Sequence, residues 1–127
     1  MPGPGERQKE LRVGMSISLT GKFSRQGHQT LDALRLWAAY TDEQGGVVIG
    51  EHSPRRVRIV YYDDESRAAK TRENIAKLVQ KKRAHVLLGP YSSGLTLAAA
   101  EIAGEYKRLM FSHGGTSDPS ISAGTTT

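Results

Sequence analysis

Residues 57–88, VRIVYYDDESRAAKTRENIAKLVQKKRAHVLL, read as one strand–helix–strand unit. Residues 57–62 are dense in β-branched and aromatic side chains, which fit a pleated, half-buried surface. Asp63 and Asp64 end that strand as surface turn acids, and Ser66 stands where a helix N-cap is expected. Ala68, Thr71, Ile75, Leu78 and Val79 then recur at helical spacing and form one inward face, while Arg67, Lys70, Glu73 and Lys77 point to water. Residues 85–88 are a short, nearly continuous apolar run, as expected for a sheet centre covered on both faces. Gly89-Pro90 breaks it.

Working outward, the same alternation repeats. Upstream, residues 11–19 place Leu11, Val13, Met15, Ile17 and Leu19 at the period of a strand. A loop over residues 20–27 follows, and then a helix over residues 28–44 whose inward set is Leu31, Leu34, Trp37 and Ala38. Gly45-Gly46 stops it, because glycine readily takes the left-handed C-terminal position. Downstream, residues 93–105 form a third helix with Leu95, Ala98, Ala99 and Ile102 inward. Residues 108–111 form a fourth strand. The order βαβαβαβ, with helices long enough for right-handed crossovers, predicts a doubly wound α/β fold with one parallel sheet in the order 2-1-3-4. Residues 1–10, rich in Gly and Pro, read as a flexible leader, and residues 11–127 as a single lobe.

Composition narrows the function. The 127 residues suffice for one domain, and 37% apolar with 24% charged is ordinary for a globular protein. The net charge of +5 comes from separate clusters, Arg55, Arg56 and Arg58 in one and Lys81, Lys82 and Arg83 in another. No stacking aromatics accompany them, so nucleic acid is not an expected partner. The absence of cysteine excludes disulfides, thiolate metal sites and a cysteine nucleophile. No apolar run approaches the roughly 20 residues of a membrane span, and residues 1–10 lack the apolar stretch of a signal peptide.

In open α/β sheets ligands bind beyond the carboxyl ends of the strands. Three loops are expected there: residues 20–27, 89–94 and 112–118, all rich in Ser, Thr and Gly. The turn Gly89-Pro90-Tyr91-Ser92-Ser93-Gly94 opens a helix, where free N–H groups and the helix dipole suit a carboxylate or phosphate. Ser92 or Ser93 can equally serve as a simple cap. In Ser112-His113-Gly114-Gly115-Thr116-Ser117-Asp118 the glycines allow close backbone approach and Thr116 offers donor and acceptor, though a plain turn before Pro119 reads as well. No catalytic set emerges. Pro90-Tyr91-Ser92-Ser93-Gly94 lacks the first glycine of a nucleophile elbow, His113 has no acidic orienter, and neither a dinucleotide fingerprint nor a P-loop is present. His28, His52 and His85 are too scattered for a metal site. An enzyme, a cofactor and a metal are therefore not expected.

In order and spacing, several of these segments resemble one family. Residues 13–21 (VGMSISLTG), Gly27, and a helix ending at Gln44-Gly45-Gly46-Val47 are one part. Tyr62-Asp63-Asp64-Glu65-Ser66, residues 88–94 (LGPYSSG) and residues 112–119 (SHGGTSDP) complete the set. Together they resemble the amino-terminal lobe of the leucine/isoleucine/valine-binding proteins, the type I periplasmic solute-binding proteins of branched-chain amino-acid ABC transporters. The resemblance implies an incomplete single lobe, its facing lobe lying further along a longer chain, and a ligand held between the two. It implies that Ser93 binds the ligand's α-carboxylate with the backbone N–H of Thr116. The Gly114 carbonyl and the Thr116 hydroxyl would hold the α-ammonium. Gln26 falls where many relatives carry an aromatic residue near the ligand, and Tyr91 is a candidate for the pocket wall. It further implies an ABC transporter permease as partner and a periplasmic or extracellular location. A lobe by itself is expected to leave apolar surface open to self-association. Two other readings of the fold are a receptor sensor module and a flavodoxin-like enzyme.

Overall fold

The computed structural model describes residues 10–48 and 53–112. Its elements are β1 (Glu10–Ile17), α1 (Ser24–Glu43), β2 (Arg56–Asp63), α2 (Ala68–Gln80), β3 (Val86–Leu88), α3 (Ser93–Glu105) and β4 (Met110–Phe111). The four strands make one sheet in the order β2-β1-β3-β4, and all three pairings are parallel, as the sequence predicts.

Strand alternation assigns the two faces. Leu11, Val13, Met15 and Ile17 of β1 point to the α1 side, where Leu31, Leu34 and Ala38 meet them with Val57, Ile59 and Tyr61 of β2. Gly14 points to the other side, where a Cβ would lie 2.9 Å from that of Ala84 and 3.2 Å from a Leu87 methyl. On that side α2 and α3 bury Ile75, Leu78, Val79, Ala99, Ala100 and Ala103 against Val60, Leu87 and Met110. The Ala-rich face of α3 lets it approach α2 closely, which suits a chain with few aromatics.

Several boundaries and roles differ from the sequence reading. Helix α1 begins at Ser24, four residues before the predicted start. Gly21, at φ +88, turns the chain, and the Ser24 N–H donates to the Gly21 carbonyl at 3.1 Å. The early turn carries no apolar repeat because Ser24, Arg25 and Gln26 are polar and Gly27 has no side chain. Trp37 is 43% exposed rather than inward; at 100° per residue it falls at the margin of the Leu31–Leu34–Ala38 stripe. Gly45 and Gly46 do end the helix with positive φ, and the Gly46 N–H donates to the Thr41 carbonyl.

Ser66 does not cap α2. Arg67 is the N-cap residue, without a side-chain cap, while Ser66 sits in the left-handed region at φ +59. Asp64, expected as a surface turn acid, is fully buried. Both corrections bear on the loop after β1.

Candidate functional site

At the carboxyl edge of the sheet, the two acids ending β2 build the loop that follows β1. The Asp64 carboxyl accepts from the hydroxyls of Ser16 at 3.0 Å and Ser18 at 2.6 Å, and from the Ser66 N–H at 2.8 Å. Ser16 Oγ in turn accepts from the side-chain amide of Asn74 at 3.1 Å, which also donates to the Asp63 carbonyl at 3.0 Å. This is a satisfied buried network, which rigidifies the segments it joins. Asp63 takes the next layer: its side chain accepts from the N–H groups of Leu19 and Glu65 and from the Thr20 hydroxyl. Partial burial pushes the Asp63 carboxyl up, but these donors together outweigh it and hold the group below its ordinary value. Ser66 completes the clamp, donating to the Thr20 carbonyl at 2.8 Å and accepting from the Phe23 N–H at 3.1 Å.

The loop so held presents Phe23, whose ring lies 5.4 Å from that of Tyr91 in a tilted pair. That contact joins the loop after β1 to the loop after β3, and it places Tyr91 at the mouth between them. Phe23 was not among the predicted site residues; its one signal is that it is the sole aromatic in residues 20–27. Gln26 lies in the first turn of α1, and its Oε1 is buried without a hydrogen-bond partner among the described residues.

The two serines of the β3–α3 turn divide their work. Ser92 is the N-cap, its Oγ accepting from the Leu95 N–H at 3.1 Å, and its carbonyl accepts from the Thr96 N–H. The cap is thus assigned to Ser92. Ser93 opens the helix half-buried, and its hydroxyl and N–H, with the Gly94 N–H, have no acceptor among the described residues. Thr96 anchors the turn from beneath, donating to the carbonyls of Pro90 and Ser92. The loop after β4 starts beside this turn: the Gly89 N–H donates to the Phe111 carbonyl at 2.6 Å, and a Cβ on Gly89 would stand 3.2 Å from that of Ser112. Gly114 and Thr116 lie outside the described residues. Ser93, Tyr91 and Gln26 therefore share the carboxyl edge. No group of three or more His, Cys, Asp or Glu that could hold a metal occurs among the described residues.

An α/β lobe with free helix-start donors at its carboxyl edge belongs to the class of nucleotide- and solute-binding folds. Residues 10–126 match the periplasmic binding protein family, and the chain belongs to that family. Solved structures agree in fold. The branched-chain amino acid transporter substrate-binding protein of Streptococcus pneumoniae, solved with isoleucine, superposes with a TM-score of 0.80 at 21% identity, over 91% of this chain and 32% of its own. An ABC transporter solute-binding protein of Rhodopseudomonas palustris, solved with benzoate, gives 0.66 at 32% identity, over 81% of this chain and 27% of its own. A second R. palustris solute-binding protein, solved with 3,4-dihydroxybenzoic acid, gives 0.73 at 21% identity, over 90% and 30%. The chain thus spans about a third of the length of the proteins it resembles. No helix among the described residues is long and apolar enough to cross a membrane.

Proposed function

We propose that this chain is the amino-terminal lobe of an ABC transporter substrate-binding protein and that it holds the carboxylate of a small ligand at the β3–α3 turn. The observation that carries the reading is the division of labour at that turn. Because Ser92 takes the cap, the Ser93 hydroxyl and the N–H groups of Ser93 and Gly94 remain for an anion at the positive end of the helix dipole. Isoleucine, benzoate and 3,4-dihydroxybenzoic acid, the ligands of the three relatives, share a carboxylate and little else. The ligand class is accordingly a small carboxylic acid, with an amino acid as its leading member. In this reading Gly114 and Thr116 complete the site, and Phe23, Tyr91 and Gln26 line the ligand's far end. A second lobe closes over the ligand, a membrane permease receives it, and the protein works in the periplasm or outside the cell without catalysing a reaction.

Loss of a hydrogen bond to a charged group costs about 1.5–3 kcal/mol. Ser93→Ala is therefore expected to weaken ligand binding about 10- to 100-fold in calorimetric titration of a two-lobe protein carrying this lobe. Ser92→Ala removes only a cap and is expected to cost roughly 0.5–2 kcal/mol of stability with affinity nearly unchanged. Equal affinity of Ser93→Ala and the parent would remove Ser93 from the site.

A further inference from the structure

The opposite, amino edge of the sheet carries a row of cations that the ligand site does not use. Arg58 and Arg12 are register partners on β2 and β1. His85 continues the row: its N–H donates to the Arg12 carbonyl at 2.8 Å, and its Nδ1 accepts from the Arg12 N–H at 2.9 Å. Arg108 lies two residues before β4, as His85 lies one before β3, and its charge acts on the His85 ring. Four basic residues thus gather at the amino ends of the four strands, an edge of roughly 14 Å at the usual strand spacing. Like charges on facing positions of neighbouring strands are destabilising.

Cations near helix C-termini are common, and that accounts for Arg83 and Lys107, which follow α2 and α3. It does not account for the strand row or for how that row is held. Arg12 Nε donates to the Arg83 carbonyl at 3.0 Å and Arg108 Nε to the Ala84 carbonyl at 3.2 Å, so consecutive carbonyls fix the two guanidinium groups on either side of His85. Their Nη groups have no acceptor among the described residues. With Nδ1 accepting, the imidazole carries its proton on Nε2, which also lacks an acceptor there. Arg55 is near enough to act on the ring, and its buried Nε has no partner among the described residues. Burial first, and then the charges of Arg12, Arg55 and Arg108, hold the imidazole below its ordinary value. Of the carboxylates at this edge, Glu10 is engaged by Arg58 at 3.5 Å and Asp42 by Arg56 at 3.7 Å, while Glu105 forms no ion pair among the described residues.

We propose that Arg12, His85 and Arg108 form an anion site for a phosphate-type oxyanion, separate from the carboxylate site at the other end of the strands. The oxyanion sits over His85 and is flanked by the two carbonyl-anchored guanidinium groups. Fixed donors of this kind suit the several oxygens of a phosphate group.

The test is an NMR titration of the 127-residue chain with inorganic phosphate against chloride at matched ionic strength, following the His85 ring and the arginine Nε resonances. Saturable shifts confined to Arg12, His85 and Arg108, with affinity lowered about tenfold or more in Arg108→Gln or Arg12→Gln, support the site. Lys81→Gln, off the row, should change affinity less than twofold. Co-sedimentation with phosphatidylglycerol vesicles but not phosphatidylcholine vesicles, lost in Arg108→Gln, assigns the phosphate to a lipid headgroup. Phosphate binding without co-sedimentation assigns it to a free anion. Non-saturating shifts equal in chloride and phosphate, or row variants that bind phosphate as tightly as the parent chain, would overturn the proposal. Shifts at Ser93 and Gly94 report on the carboxylate site independently.

Discussion

Asp64→Ala is expected to destabilise the chain by about 3–5 kcal/mol, a large share of the roughly 5–15 kcal/mol that folds a domain. The carboxyl is fully buried, and the substitution leaves the Ser16 and Ser18 hydroxyls and the Ser66 N–H without their acceptor. Each buried group so orphaned costs roughly 1–3 kcal/mol, less where a hydroxyl can rotate to another acceptor. Asp64→Asn retains one acceptor oxygen and the volume, and should cost about half as much. Chemical denaturation of the two variants checks the order. If Asp64→Ala costs under 1 kcal/mol, the buried network does not hold the β1–α1 loop.

Gly27→Ala is expected to cost about 3 kcal/mol or more, although alanine is the better helix former by roughly 1 kcal/mol. A Cβ at Gly27 would fall 1.7 Å from the Ser18 carbonyl oxygen, which is backbone and cannot swing aside. The first turn of α1 must therefore lift off the end of β1, carrying Phe23 away from Tyr91 and Gln26 out of its buried position. Gly94, early in α3, has open space around it, so Gly94→Ala should leave stability unchanged or raise it slightly. Thermal unfolding compares the two directly. Ligand affinity should fall with Gly27→Ala even where the protein remains folded, because the α1 turn carries residues of the proposed site.

These two residues also mark where sequence reading reaches its limit. The strands, their order and the extent of α3 were legible because alternation, helical spacing and the crossover rule each constrain them locally. The start of α1 was not, since Ser24 to Gly27 contains no apolar residue to carry a helical period. The burial of Asp64 was hidden for a different reason: its partners Ser16 and Ser18 lie on and just beyond another strand, and an Asp-Asp pair after a strand reads as a solvated turn. Ser66 looked like a cap because a serine just before a helix usually is one, whereas here its hydroxyl is taken by Thr20 and Phe23. At the candidate site, Ser92 and Ser93 were indistinguishable in sequence. Only the hydrogen bond from Leu95 separates the cap from the free hydroxyl. The aromatic contact of Phe23 with Tyr91 joins two loops nearly 70 residues apart, a pairing that no local pattern encodes.

The central claim is that the β3–α3 turn recognises a carboxylate. The most direct measurement is an NMR titration of this chain with matched pairs, leucine against leucinamide and benzoate against benzamide, watching the backbone amides of Ser93 and Gly94. The account predicts saturable shifts at these two amides with at least one of the acids, diminished in Ser93→Ala, and no matching response to the amides. Equal responses to acid and carboxamide, or shifts that leave Ser93 and Gly94 unmoved, would contradict it.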